Sequence, residues 1–271
     1  MGADLGATIL AALDGKRPMA PITDSDAGFG LDAAYRISDA VMAARIARGE
    51  RPAGWKLGFT NRTIWDEYGV HAPIWGPIYD RTVIHADGGA APARLDAAAF
   101  IEPRIEPEIV LRIARPPHAG MDERELLGCL DAVGHGFEIV QSIYPGWRFR
   151  AADTVAAFAM HGALVCGPLT PINDPEPWLD SLARFEISLL RNGETVDRGV
   201  AANVLGGPLK ALRNFVAGLG ERPMARGIEA GDLITTGTVT RAFPVENGET
   251  WTTRLDGLPL PGMTLTFARA S

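Results

Sequence analysis

The chain has 271 residues, enough for one large domain or two small ones. It is 46% hydrophobic and 22% charged, the composition of an ordinary globular protein with a real core. A net charge of −7 with no long basic run argues against nucleic acid as a partner, and no apolar run reaches membrane-spanning length. Met1-Gly2-Ala3-Asp4 lacks the basic start of a signal peptide, and Gly6 stands where myristoylation wants Ser or Thr. Cys129 and Cys166 form no Cys-x-x-Cys pair, which fits a reducing compartment. A cytoplasmic location is the resulting expectation.

In chain order, Leu5 to Leu13 reads as a short helix, broken by Pro18 to Asp26. Leu31 to Arg48 is a stronger one, with Ala34, Ile37, Val41 and Ala44 on one stripe and Gly49 as its stop. Gly54 to Thr60 reads as a strand that sets Lys56 on the face opposite Trp55 and Leu57. Lys56 is then either a snorkelling surface residue or a pocket lysine held against an anion. Asn61 to Gly69 reads as a short helix with Asn61 as a possible cap. His71 to Val83 reads as a loop with apolar anchors, ending near Asp80, which is as well placed for a turn as for catalysis.

Glu102 to Ile113 then alternates as a strand. Ile105, Ile109, Leu111 and Ile113 point one way; Arg104, Glu106 and Glu108 point the other. Two carboxylates side by side need a cation, and Glu-x-Glu is a good arm for a hard divalent ion. Spacing alone favours the plainer reading, a solvated Arg–Glu ladder. Pro107 places the stretch at a strand end, an edge or a bulge. Met121 to Val133 reads as a helix with a capping box at Asp122 and Glu125, ended by Gly134-His135-Gly136. Phe137 to Gln141 reads as a strand whose Glu138 is costly among apolar neighbours unless something compensates it.

Pro145 to Ala152 is irregular, and Asp153 to Gly167 is small and apolar around His161. Asn192-Gly193 marks a hairpin between Phe185–Arg191 and Thr195–Arg198. Pro208 to Leu219 reads as a helix stopped by Gly220. Gly231 to Thr238 reads as a strand running into a glycine turn whose N–H groups and threonine hydroxyls can hold a carboxylate. Thr250 to Leu255 and Met263 to Phe267 close the chain as antiparallel strands. There is no Gly-x-Gly-x-x-Gly, Walker loop, His-Glu-x-x-His or Gly-x-Ser-x-Gly, which weakens nucleotide, zinc-protease and serine-hydrolase readings.

Five stretches stand in order: Gly54-Trp55-Lys56-Leu57-Gly58-Phe59-Thr60, Arg104-Ile105-Glu106-Pro107-Glu108-Ile109, Phe137-Glu138-Ile139-Val140, Leu205 to Leu212, and Gly231 to Thr238. Together they resemble the 2-keto-4-pentenoate hydratase / 2-oxo-3-hexenedioate decarboxylase group of the fumarylacetoacetate hydrolase superfamily, over about Leu31 to Phe267. The resemblance implies an α+β fold: a mixed β-roll or β-sandwich core over residues 51–271, with an N-terminal helical portion over 1–50. It also implies Mg²⁺ or Mn²⁺ held by Glu106, Glu108 and Glu138, an active-site Lys56, and a homo-oligomer. Thr238 matches where members of the superfamily hold a substrate carboxylate. Arg104, Gln141, Asp153 and His161 are further candidates for contact with substrate. The chain departs from the group's pattern at Gln141, where Asp is usual, and at Ala157, Phe158 and His161, where a polar run is usual.

The expected activity is that of a metal-dependent lyase on a 2-oxo or 2-hydroxydienoic acid, of the 2-keto-4-pentenoate hydratase type found in aromatic meta-cleavage catabolism. Alternatives are a decarboxylase of the 2-oxo-3-hexenedioate type, an acylpyruvate-type C–C hydrolase with His161 or Asp80 as base, and a weakly catalytic subunit of a partner hydratase or decarboxylase.

Overall fold

A computed structural model describes residues 2–62, 65–68, 70, 72–86, 92–222 and 224–269. Three helices come first: α1 (Gly2–Asp14), α2 (Ile22–Ser25) and α3 (Leu31–Ala47). They lead to β1 (Pro52–Gly58), α4 (Trp65–Tyr68), β2 (Ile74–Tyr79), β3 (Val83–His85) and β4 (Ala93–Leu95). The centre of the chain is β5 (Arg104–Ile113), α5 (Glu123–Leu127) and β6 (Leu130–Val140), followed by α6 (Ala151–Ala156), β7 (His161–Cys166) and β8 (Thr170–Pro171). Then come α7 (Glu176–Arg184), β9 (Glu186–Arg191), β10 (Glu194–Val200), α8 (Pro208–Glu221), β11 (Leu233–Thr235), β12 (Phe243–Pro244), β13 (Thr250–Asp256) and β14 (Thr264–Phe267).

Among the described residues, one mixed sheet runs β2-β1-β11-β5-β6-β7-β3, with β12 and β8 added at the sides, and a second runs β10-β9-β13-β14-β4. Ile105, Phe137, Ile139 and Val165 of the first pack with Leu189, Trp251, Leu265 and Phe267 of the second in one apolar cluster. This is the expected sandwich. A larger cluster joins Ile9, Ala34, Ile37 and Val41 of the N-terminal helices to Trp55 and Leu57 of β1 and to Leu212 and Phe215 of α8. The stripe read from α3 is therefore its packing face. It carries α3 over the sheet on the side away from Lys56.

Several sequence expectations change. The helix expected over Met121 to Val133 is the five-residue α5, and the residues from Leu130 onward belong to β6. Leu126, Leu130 and Val133 fit helical spacing, but β6 is buried on both faces, and such a strand carries apolar residues without alternation. The capping box at Asp122 and Glu125 is present. Gly134 and Gly136 do not stop a helix. A side chain at Gly136 would come within 2.9 Å of Val165 O on the neighbouring strand.

Ile74 to Tyr79, expected as loop, is a strand; Pro77 is tolerated because β2 is an edge. Conversely, Pro107 lies at the middle of β5. The side of β5 where its N–H would point is left open between β11 and β12, and there Pro107 O accepts Val239 N. Asn61 pairs with Val204 in an isolated bridge rather than capping a helix, and α4 is only four residues long. Thr63, Ile64, Gly69 and His71 of the expected helix and loop lie outside the described residues. Gly220 lies inside the last turn of α8 rather than beyond it. The hairpin at Asn192-Gly193 and the antiparallel β13–β14 pair are as expected.

Candidate active site

Sheet register assembles the site. Glu106 of β5 sits directly opposite Glu138 of β6, and Glu108 is two residues along on the same face. Lys56 of β1 pairs with Thr235 of β11, which pairs in turn with Val110 of β5. One face of four adjacent strands thus collects a lysine and three glutamates. Oxygens of Glu106, Glu108 and Glu138 lie within 4.8 Å of one another. Lys56 Nζ is 3.3 Å from Glu138 Oε1, and both side chains are buried.

Three carboxylates and one ammonium leave the cluster short of positive charge. Burial, then repulsion from Glu138 and Glu106, lifts Glu108 well above the usual carboxylate range. Burial raises Glu106 to about 7 against the pull of Lys56 and Arg104, with Glu138 adding to the rise. Burial also disfavours a charged Glu138, but Lys56 and the His161 hydrogen bond outweigh it and hold Glu138 below its ordinary value. For Lys56, burial acts downward and is overcome by Glu138, Glu106 and Glu108, so the amine stays charged.

The surrounding chain fixes each carboxylate. His161 Nδ1 lies 2.9 Å from Glu138 Oε1, and its Nε2 lies 2.8 Å from Thr82 Oγ1. An ionised Glu138 can only accept, so Nδ1 carries the proton. Thr235 Oγ1 donates to Glu138 Oε2 at 3.4 Å. Gly237 N donates to Glu108 Oε2 at 2.5 Å. Among the described residues, Glu108 Oε1 has no hydrogen-bond partner, although it is buried. A buried anionic oxygen with no donor, beside two more carboxylates, has the chemistry of a hard-cation site, and the residues present fit Mg²⁺ or Mn²⁺.

Through Lys56 and Glu106 the cluster borders a pocket of roughly 580 Å³ including its open mouth. Lys56, Glu106, Thr60 and Thr238 are polar residues of its lining; Phe59, Ile74, Val140, Phe149 and Met160 are apolar ones. Arg104 also lines it, with its guanidinium 4.3 Å from the centre of the Trp147 ring. The altered stretch forms another wall. Phe158, Ala159 and Met160 all have left-handed backbone, which presses Ala159 and Met160 into the pocket. Gly76 makes this possible, since a Cβ there would lie 2.9 Å from the Phe158 backbone.

The remaining sequence candidates lie elsewhere. Asp80 is on the surface, bonded to Arg51 N and Nε, and those bonds hold its carboxyl below the usual range. Gln141 Oε1 accepts Ile101 N at 3.2 Å. Asp153 is buried and fully used: it accepts Thr23 N and Oγ1 and Arg150 N, tying α2 to the start of α6. None of the three lines the pocket, nor does His161, which contacts Glu138 behind Lys56. The sequence reading missed Thr82 and Thr235, which hydrogen-bond His161 and Glu138. Thr235 lies within the Gly231–Thr238 stretch and Thr82 closes the short turn before β3, so neither position carried a signal of its own.

Residues 82–262 match the family described as fumarylacetoacetate (FAA) hydrolase C-terminal. The chain belongs to the fumarylacetoacetate hydrolase family. A 2-hydroxyhexa-2,4-dienoate hydratase of Comamonas testosteroni is 31% identical over 93% of this chain and 93% of its own length. A 4-oxalocrotonate decarboxylase of Pseudomonas sp. (strain CF600) is 32% identical over 83% and 81%. The structure of the 4-oxalocrotonate decarboxylase from Pseudomonas putida G7, complexed with magnesium and adipate, superposes with a TM-score of 0.88. It is 26% identical and covers 98% of this chain and 97% of that one. These likenesses identify this family member as an enzyme with the fumarylacetoacetate hydrolase fold. Among the described residues, no helix is long and apolar enough to cross a membrane.

Proposed function

We propose that the protein is a divalent-metal-dependent hydratase of 2-hydroxydienoic acids, with Glu106, Glu108 and Glu138 as metal ligands and Lys56 as the acid/base group. The observation that carries the reading is the set of three carboxylates beside one charged lysine, with Lys56 and Glu106 lining a largely apolar pocket. An Mg²⁺ or Mn²⁺ ion held there would supply Lewis-acid stabilisation of negative charge on the substrate's C2 oxygen.

The chain's own residues do the rest. Lys56, kept charged by its carboxylate neighbours, stands at the pocket floor to pair with the substrate's anionic end and to exchange the proton that moves during tautomerisation. His161 and Thr235 hold Glu138 so that it in turn holds Lys56. Phe59, Ile74, Val140 and Met160 surround the conjugated tail and limit water to the carbon that must receive it. The enol proton moves from the C2 oxygen to C5, giving the 2-oxo-3-enoic acid, and one water then adds across C3=C4, hydroxyl to C4 and hydrogen to C3, giving a 4-hydroxy-2-oxo acid.

Arg104 favours a second reading. It is the cation of the described lining other than Lys56, and it could meet the far carboxylate of a hexenedioate, as a decarboxylase requires. Hydrolysis of an acylpyruvate has less support, because Asp80 and His161, the expected bases, do not line the pocket. A decayed subunit has less support too, because the carboxylates and Lys56 are all in place. The protein is also proposed to be a cytoplasmic homo-oligomer working as one unit, its residues 1–50 forming a helical layer on the 51–271 core. Product analysis in ¹⁸O-water separates the leading readings. Hydration puts one ¹⁸O on C4 with no CO₂ released; stoichiometric CO₂ from a hexenedioate, with no such label, moves the assignment to the decarboxylase.

A further inference from the structure

Thr60 stands out within this pocket. It is 1% exposed, lines the cavity, and its hydroxyl oxygen has no hydrogen-bond partner among the described residues. An unpaired buried hydroxyl is costly, and valine would fill the same space without that cost. The backbone is not what keeps threonine there: Thr60 O accepts Leu205 N at 3.0 Å whatever the side chain.

The hydroxyl is packed against Gly237. Gly237 has φ +96°, and a Cβ built on it would fall 1.6 Å from Thr60 Oγ1. Glycine at 237 therefore makes the turn and leaves room for the hydroxyl. The same Gly237 donates its N–H to Glu108 Oε2, so Thr60 Oγ1 sits beside the turn that orders the carboxylate cluster. Thr238, the residue expected from the sequence to hold a substrate carboxylate, has its hydroxyl already committed, donating to Thr240 O at 3.0 Å.

We propose that the Thr60 hydroxyl donates a hydrogen bond to the carboxylate of the bound 2-oxo acid and so positions it against the carboxylate cluster. The inference rests on the proposed reading of the site. It adds a residue to that reading and takes the hydroxyl role from Thr238.

The test uses full-length protein, Mg²⁺ and oxalate or pyruvate as unreactive 2-oxo acid probes, read by titration calorimetry. Thr60→Val should bind oxalate roughly 10- to 100-fold more weakly, the effect of losing a hydrogen bond to a charged group, while Thr60→Ser stays close to wild type. Mg²⁺ affinity measured alone should not change, and the ligand-free melting temperature of Thr60→Val should equal or exceed that of wild type. Unchanged oxalate affinity in Thr60→Val overturns the proposal. So does a parallel loss of Mg²⁺ affinity or of melting temperature, which marks a structural role. A loss confined to Thr238→Val returns the role to Thr238. If wild-type protein binds Mg²⁺ but neither probe, the 2-oxo acid reading itself fails, and the Thr60 assignment with it.

Discussion

Replacing Glu108 by Gln removes one buried negative charge while keeping the side chain's shape. The Gln amide oxygen still accepts the Gly237 N–H, so the turn survives. The orphaned oxygen becomes an amide nitrogen, which repels a cation. In wild type, a divalent ion that binds only the folded state adds about 2.7 kcal/mol at a hundredfold excess over Kd. With roughly 2.1 cal/mol/K of unfolding entropy per residue, 271 residues give about 0.57 kcal/mol/K, so that stabilisation raises the melting temperature by about 5 °C. Differential scanning calorimetry with Mg²⁺ or Mn²⁺ and with EDTA measures it. Glu108→Gln should lose nearly all of the metal-dependent rise, while its melt in EDTA should stay within about 2 °C of wild type, because burial and the neighbouring carboxylates already disfavour the charge that the amide removes. An undiminished rise in the variant, or none in wild type, would refute the reasoning.

Lys56→Met should lower kcat by about 10²- to 10⁴-fold while calorimetry still detects metal binding, since the three carboxylates remain. Gly237→Ala should melt lower by several degrees and bind metal weakly, because the new Cβ strikes Thr60 and forces a left-handed backbone on alanine. Asp80→Asn should leave kcat/KM within about twofold, as measured by steady-state kinetics, because its partners are on Arg51 at the surface. His135 is buried between Glu108 O and Thr253 Oγ1, and burial drops its pKa from 6.5 to about 4. The unfolded chain therefore takes up the proton first. About 3 kcal/mol of stability, full above pH 6.5, is lost as pH falls toward 4. Urea titrations across that range should show the decline in wild type and a flatter profile in His135→Gln.

The part of the site legible in the sequence was the part carried by strand alternation. Glu106 and Glu108 share a face by parity alone, and Lys56 faces away from Trp55 and Leu57 for the same reason. That Glu138 faces Glu106 follows from cross-strand register, which no local pattern encodes; only the cost of a lone buried glutamate pointed there. Reading failed where burial on both faces erased alternation. Leu130 to Val140 gives no period-2 signal, so a fortuitous helical spacing won. Pro107 misled because its missing N–H is harmless where β11 and β12 leave β5 uncovered. Asp80 and Asp153 show the limit of residue type as a guide. Both are carboxylates in the right neighbourhood, and both are occupied by caps and ion pairs that only the folded chain reveals.

Metal-dependent hydration of a dienoate is read directly from the ultraviolet absorbance of 2-hydroxypenta-2,4-dienoate on adding the protein. The dienoate band should disappear rapidly with Mg²⁺ or Mn²⁺, persist in EDTA, and disappear again when the ion is restored. Loss of the band at the same rate in EDTA, or a stable band with metal bound, would contradict it.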